Sequence, residues 1–426
     1  MELTDRQYKD ACKVISHLEE AGYTARMAGG CVRDRLLGVS PKDFDVATDA
    51  TPEQVSAVFK PTKMKVVPTG IDHGTMTVVL PSGPVEVTTL RLDVATDGRR
   101  AEVKFGNCFE EDALRRDFTI NAMFEDRDGK IYDYFGGQDD LKNKVLRFVG
   151  DPGTRIQEDY LRILRLYRFW ARLGFAPAED ARQAVTQNLD GLPQLSQERV
   201  TSELLLILST QRPCAAVEAL IRDGVWEVLF PQWQLSPPLT ILDAELAVSK
   251  DVLPLLRLAT INGLSQSPLE SKTGLQKQGS RLRLSTAQIK KWQALILGSR
   301  QLPKQWGDDD VAALLWLDHW ESFSGSPETP GLQAQELIFG WQHLLTLGSK
   351  PVPVPLQALA TMEKKCGHRR IAKLPVTGGD VMAELGLSPG TTVKEWLEKL
   401  RQAYYREEWT TKEEGLAWLK TQAPQT

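Results

Sequence analysis

Cysteine is scarce in this chain, and the five present (Cys12, Cys31, Cys108, Cys214 and Cys366) are odd in number and show no metal-ligand spacing. That argues against a disulfide framework or a cysteine zinc site and points to free thiols in a reducing compartment. Histidine is as rare, and His17, His73, His319, His343 and His368 form no His-Asp metal pattern. No apolar run approaches the ~18 residues that a membrane helix needs. The opening Met1-Glu-Leu-Thr-Asp-Arg6 lacks the charged-then-apolar pattern of a secretory leader. A cytoplasmic protein without membrane contact is expected. There is no basic excess either: the formal net charge is −4, so any nucleic-acid binding must rest on local charge. Internal repeats and low-complexity tracts are missing, while 426 residues leave room for two to four units.

What is present is concentrated early. Ala28-Gly-Gly-Cys-Val-Arg-Asp-Arg-Leu-Leu-Gly38 is followed at once by Pro41-Lys-Asp-Phe-Asp-Val46. Asp43 and Asp45 flank Phe44 in what reads as a short strand, so both acids share a face and Phe44 points into the core. Paired carboxylates repel unless a cation sits between them, and Mg²⁺ takes oxygen ligands, commonly one or two carboxylates plus substrate phosphates. Gly29 and Gly30 let backbone approach a ligand, the spacing predicts a helix start over 32–38, and Arg33 adds a fixed charge for phosphate. A phosphate cradle beside a metal-binding Asp-Phe-Asp reads as nucleotidyl transfer. A solvated turn with scattered acids is the alternative for this stretch alone.

Around it the first unit reads as mixed α/β. A helix is expected over 5–21, strands over 24–28, 64–67, 75–80 and 85–90, and a helix from Thr51, its N-cap, with Pro52 in the first turn. Pro68-Thr-Gly-Ile-Asp-His-Gly74 reads as a turn-rich loop. Glu86 is either a third metal-facing acid or an exposed strand acid.

Two further clusters bear charge in a helical frame. Glu110-Glu-Asp-Ala-Leu-Arg-Arg-Asp-Phe-Thr-Ile-Asn-Ala-Met123 brings Arg115, Arg116, Asp117 and Asn121 to one helix edge. In the helix expected over 151–175, Arg162, Arg165, Arg168 and Arg172 share one side, opposite Leu166, Phe169, Trp170 and Leu173. Asp159 lies one turn before Arg162, and such a pair offers the acceptors and donors of a base edge. Intrahelical ion pairing would account for Asp159 and Arg162 but leaves four arginines short of acids. Beyond about residue 205 the pattern is helical, with helices expected over 201–208, 213–223, 244–264 and 309–320. From 265 to 305 charge is lopsided: Lys272, Lys277, Arg281, Arg283, Lys290, Lys291, Arg300 and Lys304 face only Glu270, and residues 308–336 are acidic. This is either an RNA track or a solvated helix surface.

Taken together, these residues resemble the class II tRNA nucleotidyltransferase and poly(A) polymerase family. GGCVRD with DFD is similar to its metal and triphosphate motif, EDALRRDFTINAM to its second motif, and EDYLRILRLYRF to its nucleotide-selecting helix. Thr88-Thr-Leu-Arg-Leu-Asp-Val-Ala-Thr-Asp-Gly-Arg-Arg100 is similar to its flexible loop, and Ser196-Gln-Glu-Arg-Val-Thr-Ser-Glu-Leu204 to its fifth motif. Gly378-Gly-Asp-Val-Met-Ala-Glu-Leu-Gly-Leu-Ser-Pro-Gly390 is similar to a segment near the family's C-terminus. Trp170 departs from the pattern, standing where a small residue is expected.

The resemblance implies an α/β nucleotidyltransferase head, a small mixed sheet with helices, followed by an all-α neck, body and tail. The corresponding spans are 1–140, 141–210, 211–355 and 356–426. It implies template-independent addition of CMP and AMP to tRNA 3′ ends from CTP and ATP, with Mg²⁺ on Asp43 and Asp45. Gly30, Arg33 and Arg116 would contact the nucleotide, Asp159 and Arg162 read its base, and Arg165 and Arg168 hold it. Asp97, Gly98, Arg99 and Arg100 would form the flexible loop. Poly(A) synthesis, A-only addition and a catalytically silent RNA-binding module are the alternatives; intact Asp43 and Asp45 weigh against the last. No phosphohydrolase appendage and no obligate protein partner are expected.

Overall fold

A seven-stranded mixed sheet, in the order β3-β4-β5-β2-β1-β8-β9, carries the first part of the chain. Its strands are β1 (Ala25–Ala28), β2 (Phe44–Thr48), β3 (Lys65–Gly70), β4 (Thr75–Leu80), β5 (Gly83–Thr89), β8 (Met123–Glu125) and β9 (Ile131–Asp133). The computed structural model describes residues 3–71, 74–96, 101–301, 374–406, 409 and 411–422, with 324, 336 and 344 as isolated positions. These fall in two units, Met1–Pro231 and Gln232–Thr426.

β2 runs parallel to β5 and antiparallel to β1, which sets which side chains share a face. On one face Phe44 and Val46 are buried, with Tyr8 of helix α1 (Leu3–Glu20) packed against Phe44. Helix α3 (Pro52–Phe59) joins the same layer through Phe59, edge-on to His17. Its start is as the sequence reads: the Thr51 hydroxyl accepts from the Gln54 N–H, and the Gln54 side chain returns to the Thr51 N–H. Such a capping box satisfies two N–H groups that a helix start otherwise leaves unpaired. On the opposite face Ala28, Ala47 and Phe124 form a core with Phe109 and Ala113 of helix α4 (Phe109–Leu114). Asp45 and Glu86 belong to this second face.

Several expected boundaries move for physical reasons. The segment expected as a turn-rich loop is strand through Pro68 up to Gly70. A proline is tolerated there because β3 is the sheet edge and its pairing shifts between Val67 and Gly70. Helix α2 (Gly30–Leu36) starts earlier than expected, at the second glycine. Strands β6 (Arg91–Thr96) and β7 (Ala101–Phe105) form an antiparallel pair, so the loop-like segment is largely a hairpin. Asp97, Gly98, Arg99 and Arg100 lie outside the described residues.

After α5 (Gly137–Asn143) the helix expected over 151–175 is two helices, α6 (Pro152–Glu158) and α7 (Leu161–Leu173). Asp159 is extended (φ −157°), and its carboxylate accepts from the Leu161 N–H at 3.1 Å. A short acidic side chain that bonds backbone locally competes with helical continuation and favours a break. Ile163, Leu164, Leu166 and Tyr167 bury the apolar side of α7, and Gly174, left-handed at φ 69°, ends it. Helices α8 (Glu179–Gln187), α9 (Gln197–Leu208), α10 (Cys214–Arg222) and α11 (Val225–Leu229) complete the unit.

The second unit is helical, with no strand among its described residues. Helix α12 (Leu253–Leu264) begins later than the expected 244, with Pro254 in its first turn, where a missing N–H costs nothing. It is followed by α13 (Lys272–Arg281) and α14 (Thr286–Gln301). The helix expected over 309–320 lies outside the described residues. Helices Gly378–Leu385, Thr391–Tyr405 and Lys412–Gln422 share a core of Val376, Val381, Leu400, Trp409 and Leu419. Among the described residues no helix is long and apolar enough to cross a membrane.

Candidate functional site

The sheet brings the acids together. Asp45 and Glu86 are direct neighbours across the parallel β2–β5 pair, and Asp43 stands one residue before the strand. Burial pushes the Asp45 carboxyl up to about 6; Glu86 and Asp43 push the same way, and Arg116 opposes them. Like-charged carboxylates held this close are what a cation relieves. Among the described residues no set of three or more His, Cys, Asp or Glu side chains converges to hold a metal alone. Two carboxylates completed by water and phosphate oxygens nevertheless suit a hard divalent ion.

Gly29 lies beside this group. It is the N-cap of α2 at φ 74°, and its N–H donates to the Met123 carbonyl at 3.0 Å. A Cβ there would meet Arg116 Nη1 at 2.7 Å, so only glycine lets the guanidinium close on the turn. Gly30 carries no such demand, since its Cβ would sit at an ordinary 3.7 Å from Arg33 Nη2. Arg116 is aimed by Asp112, which takes Nε and Nη2 at 3.2 and 3.0 Å, while Nη1 donates to the Asn121 carbonyl at 3.3 Å. Asp112, 1 % exposed, also binds Arg115. The two arginines hold its carboxyl below the usual range despite the burial that raises it.

Asn121 is a junction. Its side chain donates to Asp117 at 3.1 Å and accepts from Arg33, while Asp117 accepts from Arg165. Burial raises Asp117, but Arg165 and these hydrogen bonds win and leave its carboxyl low.

The arginines of α7 do not lack acids, contrary to the sequence expectation. Arg162 pairs with Glu158, Arg165 with Asp117, Arg168 with Glu203 and Arg172 with Asp34. Asp117 from the loop after α4, Glu203 from α9 and Asp34 from α2 lie far along the chain, which spacing along one helix cannot reveal. Asp159 and Arg162 are not joined side by side. Asp159 binds Arg199 of α9 at 2.6 Å, and Arg162 also donates to the Arg155 carbonyl at 2.8 Å. Asp112 was legible as i−3 and i−4 from the arginine pair; Asp34, Glu203 and Arg199 carried no such local signal. In the other unit, Lys272, Lys277 and Arg281 on α13 and Arg283 after it are exposed, while Lys290 and Lys291 on α14 are half-buried.

A mixed sheet that presents acids beside a glycine turn and an arginine defines the head as that of a nucleotidyltransferase. Residues 25–147 match the Poly A polymerase head domain, and residues 174–235 match the family described as probable RNA and SrmB-binding site of polymerase A. The CCA-adding enzyme of Levilactobacillus brevis is 32 % identical over 398 residues, 92 % of this chain and 91 % of that protein. The mitochondrial CCA tRNA nucleotidyltransferase 1 of Danio rerio is 43 % identical over 250 residues, covering 54 % of this chain and 58 % of that protein. The chain spans about half the length of the vertebrate relatives it matches. The crystal structure of the Bacillus stearothermophilus CCA-adding enzyme in complex with CTP superposes with a TM-score of 0.72 at 27 % identity, covering 97 % of each chain. The chain belongs to the CCA-adding enzyme family of tRNA nucleotidyltransferases.

Proposed function

We propose that the protein adds CMP and AMP to the 3′ end of tRNA without a template, consuming CTP and ATP and releasing pyrophosphate. The observation that carries the reading is the acid group on the sheet, Asp45 against Glu86 with Asp43 beside them, set opposite Arg116 at the Gly29 turn. It is supported by the likeness to the L. brevis enzyme, which runs nearly end to end. Asp43 and Asp45 would hold Mg²⁺, with Glu86 flanking them. When bound, the ion supplies Lewis-acid activation of the attacking hydroxyl and neutralises charge on the departing phosphates. The chain's own part is placement. Gly29 and Gly30 let the triphosphate approach backbone, Arg116 answers its charge, and Asp117 and Asn121 set the arginines around it. Asp159 and Arg162 present an acceptor and a donor for a base edge, which requires them to turn from Arg199 and Glu158 when nucleotide enters. Arg165 and Arg168 hold that helix and its ligand.

The same reading divides the chain into a catalytic head over 1–140, a neck over 141–210, a tRNA-binding body over 211–355 and a tail over 356–426. It places the enzyme's work in the cytoplasm. The test is to offer tRNAs lacking their last three, two or one nucleotides, each with one nucleoside triphosphate at a time. Two C additions followed by one A addition, then arrest, is the expected outcome. Unlimited A addition would make the protein a poly(A) polymerase. A addition alone, on the tRNA lacking one nucleotide, would make it an A-only enzyme.

A further inference from the structure

Asp159 stands at the break between α6 and α7, and both flanks of that break rest on one turn farther along the chain. Helix α8 ends at Asn188, and a short 3₁₀ turn, Leu189–Gln194, follows before α9. On one side of the break Gln157 donates through Nε2 to the Asn188 side-chain oxygen at 3.1 Å. Asn188, 7 % exposed, is itself fixed, because its side-chain amide donates to the Ala184 carbonyl at 2.7 Å. On the other side Tyr160, the N-cap of α7, lays its ring directly on Gly191. A Cβ at Gly191 would overlap the Cδ1, Cε1 and Cζ atoms of that ring. Gly191 does not have a left-handed backbone, so glycine is required there for space and not for conformation.

The turn is a firm support. Leu192 is fully buried, and Leu189 packs against Gly224 at the start of α11. Where a chain passes from one helix to the next through a single extended residue, the hydrogen bonds within each helix do not fix the angle between them. Contacts from outside must do so, and Gln157 and Tyr160 supply them on either side of Asp159. They hold backbone, which leaves the Asp159 carboxylate to turn between Arg199 and a base edge.

We propose that Tyr160 is a positioning residue, its ring seated on Gly191 so that Asp159 and Arg162 meet the base edge at a set distance and angle. The seat acts through the backbone of Asp159 and is a determinant of nucleotide specificity. The aim rests on the reading of Asp159 and Arg162 as the base-reading pair; the seat itself does not.

The experiment uses the full chain with Tyr160→Phe, which keeps the ring, Tyr160→Ala, which removes it, Gly191→Ala, which displaces it, and the Ala–Ala double variant. Three quantities are read: the ratio of kcat/KM for CTP over UTP on a tRNA lacking its last three nucleotides, KM for that tRNA, and the unfolding equilibrium constant in denaturant. Tyr160→Ala and Gly191→Ala should each lower the CTP:UTP ratio about fivefold or more, since a small misplacement of an aligning group is costly. The double variant should be hardly worse than either. Tyr160→Phe should keep the ratio, and KM for tRNA should stay within about twofold throughout. Overpacking by Gly191→Ala should shift the unfolding constant by about tenfold. Removing the ring in the same chain relieves the collision, so the two substitutions should be non-additive by at least about threefold. A CTP:UTP ratio within about twofold of wild type in either Tyr160→Ala or Gly191→Ala overturns the proposal, because the contact then serves stability alone. So does a Tyr160→Phe variant as impaired as Tyr160→Ala, which would put the effect on the hydroxyl. If Gly191→Ala does not fold, Gln157→Met, which cuts the opposite flank from the turn, takes its place under the same criterion for the ratio. Should wild type extend no tRNA, the functional reading and the aim fall together, and the unfolding cycle still decides the seat: full additivity would refute it.

Discussion

Replacing Gly29 by alanine perturbs two things that the structure separates. The backbone at Gly29 has φ 74° and ψ −121°, a region that residues with a Cβ essentially avoid. Holding a non-glycine residue there costs about 1–3 kcal/mol. The new methyl also lands 2.7 Å from Arg116 Nη1, so that guanidinium must swing away. It then gives up its bond to the Asn121 carbonyl and disturbs its pairing with buried Asp112. A hydrogen bond made by a charged group contributes about 1.5–3 kcal/mol. The sum, roughly 2.5–6 kcal/mol, is a large part of a stability of ~5–15 kcal/mol. Gly22 provides the control, because it has φ 91° but nothing within 4 Å of a Cβ. Denaturant unfolding and single-nucleotide incorporation should be measured on Gly29→Ala and Gly22→Ala together. Gly22→Ala should lose about 1–2 kcal/mol with wild-type incorporation. Gly29→Ala should lose more stability, and incorporation should fall by about 10²-fold or more, the usual effect of misplacing a charge-stabilising donor. Equal stability losses in the two variants, with incorporation intact in both, would refute the argument that the turn exists to let Arg116 close.

Three further outcomes are expected. Asp223 is buried, which raises its carboxyl, but bonds from Arg182, Tyr167 and Arg222 outweigh burial and hold it low. The stability it lends is therefore present above the unfolded carboxylate value of ~4 and is lost as pH falls through the lower folded value. Asp223→Asn should cost about 1–3 kcal/mol at neutral pH and almost nothing in strong acid; a pH-independent loss would show that the charge is not the cause. Asp159→Ala and Arg162→Ala should relax discrimination against UTP and GTP, because cytosine and adenine present a donor beside a ring acceptor and the other bases present the reverse. Equal proportional losses for all four nucleotides would mean that the residues only brace α6 and α7. Neutralising two or three of Lys272, Lys277, Arg281 and Arg283 should raise KM for tRNA but not for CTP. Each lost contact should flatten the slope of log affinity against log salt by somewhat under ~1 unit; an unchanged slope would make the strip a solvated surface.

Local signals in the sequence were read well because their physics is local. The Thr51 N-cap with Pro52 in the first turn and the strand through Phe44 and Asp45 each depend on residues within a few positions of one another. Asp112, three and four residues before Arg115 and Arg116, carried the same kind of local signal but was not read from the sequence. What spacing could not show was pairing at a distance. Arg168 finds Glu203, Asp159 finds Arg199, and Arg172 finds Asp34 only after helices from separate parts of the chain pack together. The break at Asp159 was missed for a related reason: an acid inside a strongly helical pattern reads as helix until its bond to the Leu161 N–H is seen. Pro68 was read as a loop because its tolerance depends on β3 being an edge strand, a property of the sheet order and not of the residue.

The central claim is that Asp43 and Asp45 serve the chemistry of nucleotide addition and not the affinity for RNA. The most direct measurement is the single-turnover rate of CMP addition to a tRNA lacking its last three nucleotides, for wild type, Asp43→Ala and Asp45→Ala. It is made at saturating CTP and Mg²⁺, with tRNA affinity determined in parallel. Losing charge neutralisation and positioning in phosphoryl transfer should lower the rate at least ~10³-fold in either variant while tRNA affinity stays within about twofold. Rates near wild type in both variants, or a loss that follows weakened tRNA binding alone, would contradict the account.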